Sequence, residues 1–223
     1  MQERVLRNKL QFILLIILVG LSGCCPNLVA HKGVGQEGAP HILNIPDVRQ
    51  ATSYTCGVAC AQAILSYYGI DEREDRLVEQ FGATEKNGTS PSQLLAGFAL
   101  YGLSAVLKEQ TTLDDLRVNL KQNIPTMVAI QAWVEKYPPS DWSQTWEDGH
   151  WVIVIGLDER NVYFEDPSIL GDRGWLTQAE FLARWHDYTG EPPCCDEKDY
   201  QFRQVSISVR GSPVKVPAYK HID

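Results

Sequence analysis

Apolar residues recur at helical spacing in the first half of the chain and at strand spacing in much of the second half. In residues 56–68 they return every third or fourth position, and Gly69 is suited to end a helix there. Helices are predicted at residues 56–68, 71–81, 90–101, 112–122 and 177–185. Strands are predicted at 42–48, 105–107, 126–131, 151–157 and 162–165, with an edge strand at 202–209. Helices followed by a mostly antiparallel sheet are typical of an α+β fold.

The N-terminal residues have the pattern of a secretion signal, which is removed and contributes nothing to the fold. Three basic residues precede the apolar run 12–19, which is too short to cross a membrane. Leu21-Ser22-Gly23-Cys24 follows and resembles a bacterial lipobox, in which the cysteine carries lipid and the chain is cut just before it. The resemblance implies a mature chain that begins at Cys24 and is anchored in the bacterial cell envelope, facing the periplasm or the exterior. The alternative is an ordinary secretion signal in which Cys24 has no role.

These features divide the chain into three parts. Residues 1–23 are the predicted signal, residues 24–41 a lipidated flexible tether, and residues 42–223 a single folded domain of about 180 residues. Loss of the signal removes three basic residues and one acidic residue, so the net charge changes from −8 to −10. Nucleic acid and anionic lipid repel an acidic chain, so we expect no nucleic-acid partner and a membrane contact through the lipid alone.

The chain has six cysteines. With Cys24 lipidated and Cys56 acting as a nucleophile, four remain that can pair outside the cytoplasm: Cys25, Cys60, Cys194 and Cys195. Cys60 could bridge to Cys194 or Cys195, or could mask Cys56, although disulfide geometry within a helix is poor. The cysteine spacing does not resemble that of a structural zinc site, so no metal is expected.

Four residues have the chemistry of a cysteine peptidase. Such an enzyme needs a thiolate nucleophile, an imidazole base, an acceptor that orients the imidazole and a donor for the developing oxyanion. These roles are matched in turn by Cys56, His150, Asp166 and Gln50. Cys56 begins the first predicted helix, whose N-terminal partial charge favours a thiolate. The predicted strands next to His150 and Asp166 are joined by the turn 158–161, so we expect the two side chains to meet.

Each of these residues has a simpler interpretation when taken alone. A lone cysteine is usually a small buried hydrophobic residue, and a histidine at the start of a strand usually lies on the surface. Asp166-Pro167 is typical of a turn, and Gln50 of a solvated loop. Together the four residues agree in type, chain order and context, and this agreement favours the catalytic interpretation.

The segments around these residues resemble a known family. Gln50-Ala51-Thr52-Ser53-Tyr54-Thr55-Cys56-Gly57 is similar to the Gln-to-Cys-Gly segment of the bacteriocin-processing, double-glycine-leader cysteine peptidases of the papain-like superfamily. Residues 149–156 (GHWVIVIG) are similar to that family's histidine strand, and residues 162–167 (VYFEDP) to its aspartate strand. The resemblance covers roughly residues 42–186.

The resemblance implies a papain-like α+β fold and hydrolysis of peptide bonds without a metal or another cofactor. It also implies that Cys56 is the nucleophile, with His150 as general base, Asp166 as the orienting residue and Gln50 as an oxyanion donor. The best-known members are domains of membrane transporters that trim leader peptides after two glycines. Because this chain shows neither a transmembrane bundle nor a nucleotide-binding motif, we do not expect cleavage after a double glycine.

Five residues are predicted to contact substrate. Gly57 is expected to leave room for a substrate backbone, and Gly149 and Trp151 flank His150. Trp142 and Trp146 belong to the stretch 133–148, which is predicted to line or cover the cleft. The alternative is a loop whose aromatic side chains pack on the domain surface.

The leading interpretation is a lipid-anchored cysteine peptidase that acts on peptides or proteins in the bacterial envelope. An amidase or acyl transferase is the nearest alternative, because a Cys-His-Asp site also hydrolyses cell-wall amides and transfers acyl groups to amines. A catalytically dormant lipoprotein that only binds a peptide is an alternative from a different class. Covalent labelling of Cys56 by an epoxide inhibitor separates an enzyme from a dormant protein.

Overall fold

The structure is a computed structural model that describes residues 40–134, 139–189 and 200–212. The predicted signal, the lipidation site Cys24, nearly all of the tether, and Cys25, Cys194 and Cys195 lie outside the described residues. Within the described ranges, every helix is too short or too polar to cross a membrane. The described residues form one compact unit.

Five α-helices occur in the described residues, and each begins within three residues of its predicted start. They are α1 (Cys56–Tyr67), α2 (Glu74–Phe81), α3 (Pro91–Leu100), α4 (Leu113–Lys121) and α5 (Gln178–Arg184). Polar residues determine several of these starts, because Ser90 forms a capping box with Gln93 and Thr112 forms one with Asp115. The hydroxyl of Thr177 accepts the Glu180 N–H at the start of α5.

Antiparallel strands pack against the helices. The strands are β1 (Ser104–Lys108), β2 (Thr126–Gln131), β3 (Gly149–Leu157), β4 (Asn161–Glu165), β5 (Gly174–Thr177), β6 (His186–Thr189), β7 (Tyr200–Arg203) and β8 (Ser206–Arg210). Six of them form one sheet in the order β1-β8-β2-β3-β4-β5, and β6 pairs with β7. The predicted α+β class is confirmed.

The predicted edge strand at residues 202–209 is wrong. Gln204 has a φ of 52° and donates its backbone N–H to the Trp185 carbonyl, so the chain turns there. The residues before the turn belong to β7, and those after it belong to β8, which lies inside the sheet between β1 and β2. Alternating polarity indicates which face of a strand is buried and carries no information about its neighbours.

The predicted strand at residues 42–48 is also absent. Leu43 donates its N–H to the Ile155 carbonyl at 2.7 Å, but Pro46 has no N–H with which to continue a ladder. Conversely, β5 and β6 were not predicted, because strands of four residues are too short to show a period.

Helix α1 lies at the centre of the core and supports Cys56. It packs against β3 on one side and against α2 and α3 on the other. Phe81 of α2 and Phe98 of α3 meet edge to face, with ring centroids 5.6 Å apart. Gly97 makes this contact possible, because a Cβ there would lie 2.4 Å from the Phe81 ring. The nucleophile candidate is therefore the first residue of a buried, closely packed helix.

Candidate active site

Cys56 is the first residue of α1, and 8% of its surface is exposed. Thr55 precedes the helix without making a side-chain cap, so its hydroxyl leaves the N–H groups of the first turn available. The backbone N–H groups of Gly57 and Trp151 interact with the sulfur instead. A helix N-terminus with two such donors stabilises a thiolate.

His150 and Asp166 meet across the β3–β4 hairpin. His150 is the second residue of β3, and the pairing of Ile153 with Glu165 brings the end of β4 back to it. His150 Nε2 lies 2.7 Å from Asp166 Oδ1, and both side chains are buried. Because Nε2 donates to the carboxylate, Nδ1 is the ring atom available to Cys56.

The pKa values of Cys56 and His150 shift in opposite directions. Burial by itself raises the pKa of Cys56, but the hydrogen bond and charge of His150, together with the backbone N–H groups of Trp151 and Gly57, outweigh it, and the pKa is lowered. Burial by itself lowers the pKa of His150, but hydrogen bonds with Asp166 and Cys56 raise that pKa to about 9. This arrangement favours a thiolate–imidazolium pair at neutral pH.

Two further donors hold the Asp166 carboxylate. Ser168 donates its backbone N–H to Oδ1 at 2.8 Å, and Trp133 donates its indole N–H to Oδ2 at 3.1 Å. Trp133 was not predicted as a site residue. It follows β2 by two residues, and only the pairing of β2 with β3 brings it to Asp166.

Gln50 connects the loop after β4 with the loop before α1. Its backbone N–H donates to the Pro167 carbonyl at 3.0 Å, and its side-chain oxygen accepts the Ser168 hydroxyl at 3.2 Å. Its amide nitrogen donates to the Thr52 carbonyl at 2.7 Å. A primary amide has two N–H donors, so one remains for another acceptor. The oxyanion role of Gln50 stays a prediction.

A cleft of about 550 Å³ opens beside Cys56. The predicted substrate contacts Gly149 and Trp151 line it. The room predicted beside Gly57 is occupied by protein, because a Cβ there would lie 3.1 Å from both Thr89 Cβ and Trp151 Cδ1. The glycine therefore permits close packing of these two side chains at the nucleophile.

Trp142 and Trp146 do not line this cleft. The Trp146 ring lies 4.4 Å from the His186 ring and 4.9 Å from the Arg203 guanidinium, as in the alternative of surface packing. Arg184 lies over the Trp142 ring at 3.5 Å. Trp142 also borders a second groove, on the side of Asp166 and Trp133.

Cys60 lies one helical turn after Cys56, and both are free thiols. Cys60 is 1% exposed and donates to the Trp151 carbonyl at 3.2 Å. Burial, together with the charges of Cys56 and Asp166, raises the pKa of Cys60 well above its usual value. A bridge from Cys60 to Cys194 or Cys195 would involve residues outside the described ranges. Among the residues the structure describes, no group of three or more His, Cys, Asp or Glu is placed to hold a metal ion.

Known proteins share the sequence pattern of this domain. Residues 42–192 match the Peptidase_C39 like family. An uncharacterized protein of Methanothermobacter thermautotrophicus is 30% identical over 122 residues, which are 55% of this chain and 71% of that protein. An uncharacterized protein of Methanothermobacter marburgensis is 26% identical over 122 residues, with the same coverage of 55% and 71%.

A solved structure shares the fold. It comes from Bacillus anthracis and is described as the crystal structure of a candidate C39-like peptidase. The TM-score is 0.56 and the sequence identity 18%, with 79% of this chain and 100% of that chain covered. This similarity supports the papain-like α+β fold predicted from the sequence. At 18% identity it does not assign a role to any residue.

Proposed function

Because the chain belongs to the Peptidase_C39 like family, we propose that it is a lipid-anchored cysteine peptidase of the bacterial envelope. Cys56 is the nucleophile, His150 the general base, Asp166 the residue that orients His150, and Gln50 an oxyanion donor. One observation carries the proposal: His150 donates to Asp166 at 2.7 Å and lowers the pKa of Cys56 at the same time.

The reaction follows from this arrangement. The Cys56 thiolate attacks the carbonyl carbon of a peptide bond, and the oxyanion receives hydrogen bonds from the Cys56 N–H and the free amide N–H of Gln50. Each oxyanion donor typically lowers the barrier by about 3 kcal/mol. The His150 imidazolium then protonates the leaving amine, and the C–N bond breaks to leave a thioester. His150 next deprotonates a water molecule, which attacks the thioester, releases the acid and restores the thiolate.

Two alternatives use the same cleft. An amidase or acyl transferase would form the same thioester, but from a different amide or with an amine in place of water. A dormant protein would bind a peptide and leave it intact. The lowered pKa of Cys56 favours an enzyme over a dormant protein, because a site that only binds has no use for a thiolate.

A thiol-reactive epoxide inhibitor tests the proposal. We expect one adduct on Cys56 in the wild type and at least tenfold slower labelling in His150→Ala. His41→Ala is the matched control, because His41 is exposed and bonds to Asn123. A peptide library is then incubated with the enzyme and analysed by mass spectrometry. Equal labelling of wild type and His150→Ala would rule out a histidine-activated nucleophile, and labelling without peptide cleavage would favour the alternatives.

The envelope location rests on the sequence Leu21-Ser22-Gly23-Cys24. Cells fed an alkyne-tagged palmitate should incorporate the tag into the wild-type protein and lose it in Cys24→Ser. Cys25→Ser is the matched control, since it changes the neighbouring cysteine and preserves the lipobox. Incorporation that survives Cys24→Ser would contradict the predicted lipid anchor.

A further inference from the structure

Asp187 of β6 lies directly over Gly149, the residue before His150. A Cβ at Gly149 would lie 2.5 Å from Asp187 Oδ2 and 2.6 Å from Oδ1. Real side chains do not approach this closely, so only glycine allows β6 to bring the carboxylate to the start of β3. The function described above uses neither this carboxylate nor its proximity to His150.

Gln131 holds Asp187 in this position. Its Nε2 donates to the His186 carbonyl at 3.1 Å and to Asp187 Oδ1 at 3.3 Å. Its Oε1 accepts the Asp148 N–H at 2.9 Å. One fully buried amide therefore joins β2, β6 and the residue before Gly149. A carboxylate positioned by the scaffold loses little freedom when it binds a ligand.

Asp187 lines the same cleft as Cys56. In the described part of the chain, the hydrogen bonds that it accepts, from Tyr188 N–H and Gln131, both reach Oδ1. Burial raises the pKa of Asp187 to about 7, against the opposing effects of the Tyr188 N–H, Gln131 and the His150 charge. A cation beside such a carboxyl group favours its charged form, and the pair is stronger there than it would be in open water.

We propose that Asp187 determines substrate specificity by binding a cationic group, the side chain of a Lys or Arg close to the scissile amide. The inference rests on the proposed peptidase function, since it assigns a substrate class to the same cleft. Glu147 is the other acid among the described lining residues, and Lys86 is the base. The summed charge of the residues that line the cleft is therefore small. The preference for a cationic group arises instead from the position of Asp187 beside Gly149.

Matched peptides test the specificity. Pairs that differ only by Lys or Gln at one position near the scissile bond are compared for wild type and Asp187→Asn, which keeps the shape of the side chain and removes its charge. At the substrate position that Asp187 contacts, we expect the wild type to favour Lys over Gln about tenfold in kcat/KM, and we expect Asp187→Asn to lose that preference. Asp114→Asn is the control, because Asp114 is 88% exposed and pairs with Arg117. If Asp187→Asn lowers kcat/KM for the Lys and Gln peptides equally, so that their ratio is unchanged, Asp187 has a positioning role and the proposal is overturned.

A second experiment needs no turnover. Cys56 is labelled with 2-aminoethyl methanethiosulfonate, a cation, or with the neutral ethyl reagent, and the adduct is located by mass spectrometry. The ratio of cationic to neutral labelling rates should fall about tenfold in Asp187→Asn and stay constant in Asp114→Asn. An unchanged ratio overturns the cation site whatever the peptides show. A reduced ratio without any peptide cleavage supports the cation site and argues against the proposed peptidase function.

Discussion

Trp133 donates its indole N–H to Asp166 Oδ2 at 3.1 Å, while Oδ1 of the same carboxylate accepts from His150. Trp133 has a φ of 62°, a conformation that costs a non-glycine residue about 1–2 kcal/mol. The residue is 56% exposed, so burial does not account for this conformation. The hydrogen bond to Asp166 accompanies this conformation, and we propose that Trp133 positions Asp166.

Replacement of Trp133 by Phe should lower kcat roughly three- to tenfold with little change in KM, because the ring is kept and one hydrogen bond to the carboxylate is lost. Trp175→Phe is the matched control. Trp175 borders the same groove and is 60% exposed. Steady-state kinetics on a cleaved peptide measures both variants. Equal losses in the two variants, or a change confined to KM, would contradict a positioning role.

The thiolate–imidazolium pair predicts a defined pH profile. His150 lowers the pKa of Cys56, and the pKa of His150 itself is raised to about 9. The ion pair therefore persists from the lowered pKa of Cys56 up to about pH 9. Alkylation of Cys56 by iodoacetamide should therefore already be fast at neutral pH. In His150→Gln the pH midpoint of alkylation should rise to the ordinary thiol value of about 8.5 or above it, because burial still raises the pKa of Cys56. Identical midpoints in wild type and variant would show that the imidazole does not act on the sulfur.

Cys56 and Cys60 should differ strongly in reactivity, although they lie one turn apart. The pKa of Cys56 is lowered, whereas burial raises that of Cys60. We expect iodoacetamide at pH 7 to label Cys56 about 100-fold faster in the native protein, as measured by peptide mass spectrometry. In denaturant the two rates should become similar. Comparable native rates would mean that α1 opens readily or that Cys60 is less enclosed than its contacts indicate.

Gly97→Ala should destabilise the fold without touching the site. Its Cβ would lie 2.4 Å from the Phe81 ring, and overpacking of this kind costs about 1–3 kcal/mol of unfolding free energy. Leu100→Ala in the same helix is the control, because Leu100 is 67% exposed and should change stability by less than about 1 kcal/mol. Chemical denaturation measures both. An unchanged midpoint for Gly97→Ala would show that the Phe81 ring moves aside at no cost.

The local elements were predicted well because their signals lie within a few residues. Ser90 and Gln93 mark the start of α3, and β2 has the predicted bounds, Thr126–Gln131. The hairpin that brings His150 to Asp166 was also expected, since a short turn joins its strands. The order of the strands in the sheet was harder to predict from the sequence. Gln204, for example, divides a segment that had the pattern of one strand.

The amino-acid sequence by itself determined the helices, the position of Cys56 at a helix start and the meeting of His150 with Asp166, because each depends on near neighbours in the chain. Only the tertiary structure decided what surrounds them. Trp133 lies 33 positions from Asp166, and Gln131 lies 56 positions from Asp187. Such contacts depend on which strands become neighbours in the sheet. The periodicity of a strand indicates which of its faces is buried, but it does not indicate which strand lies next to it.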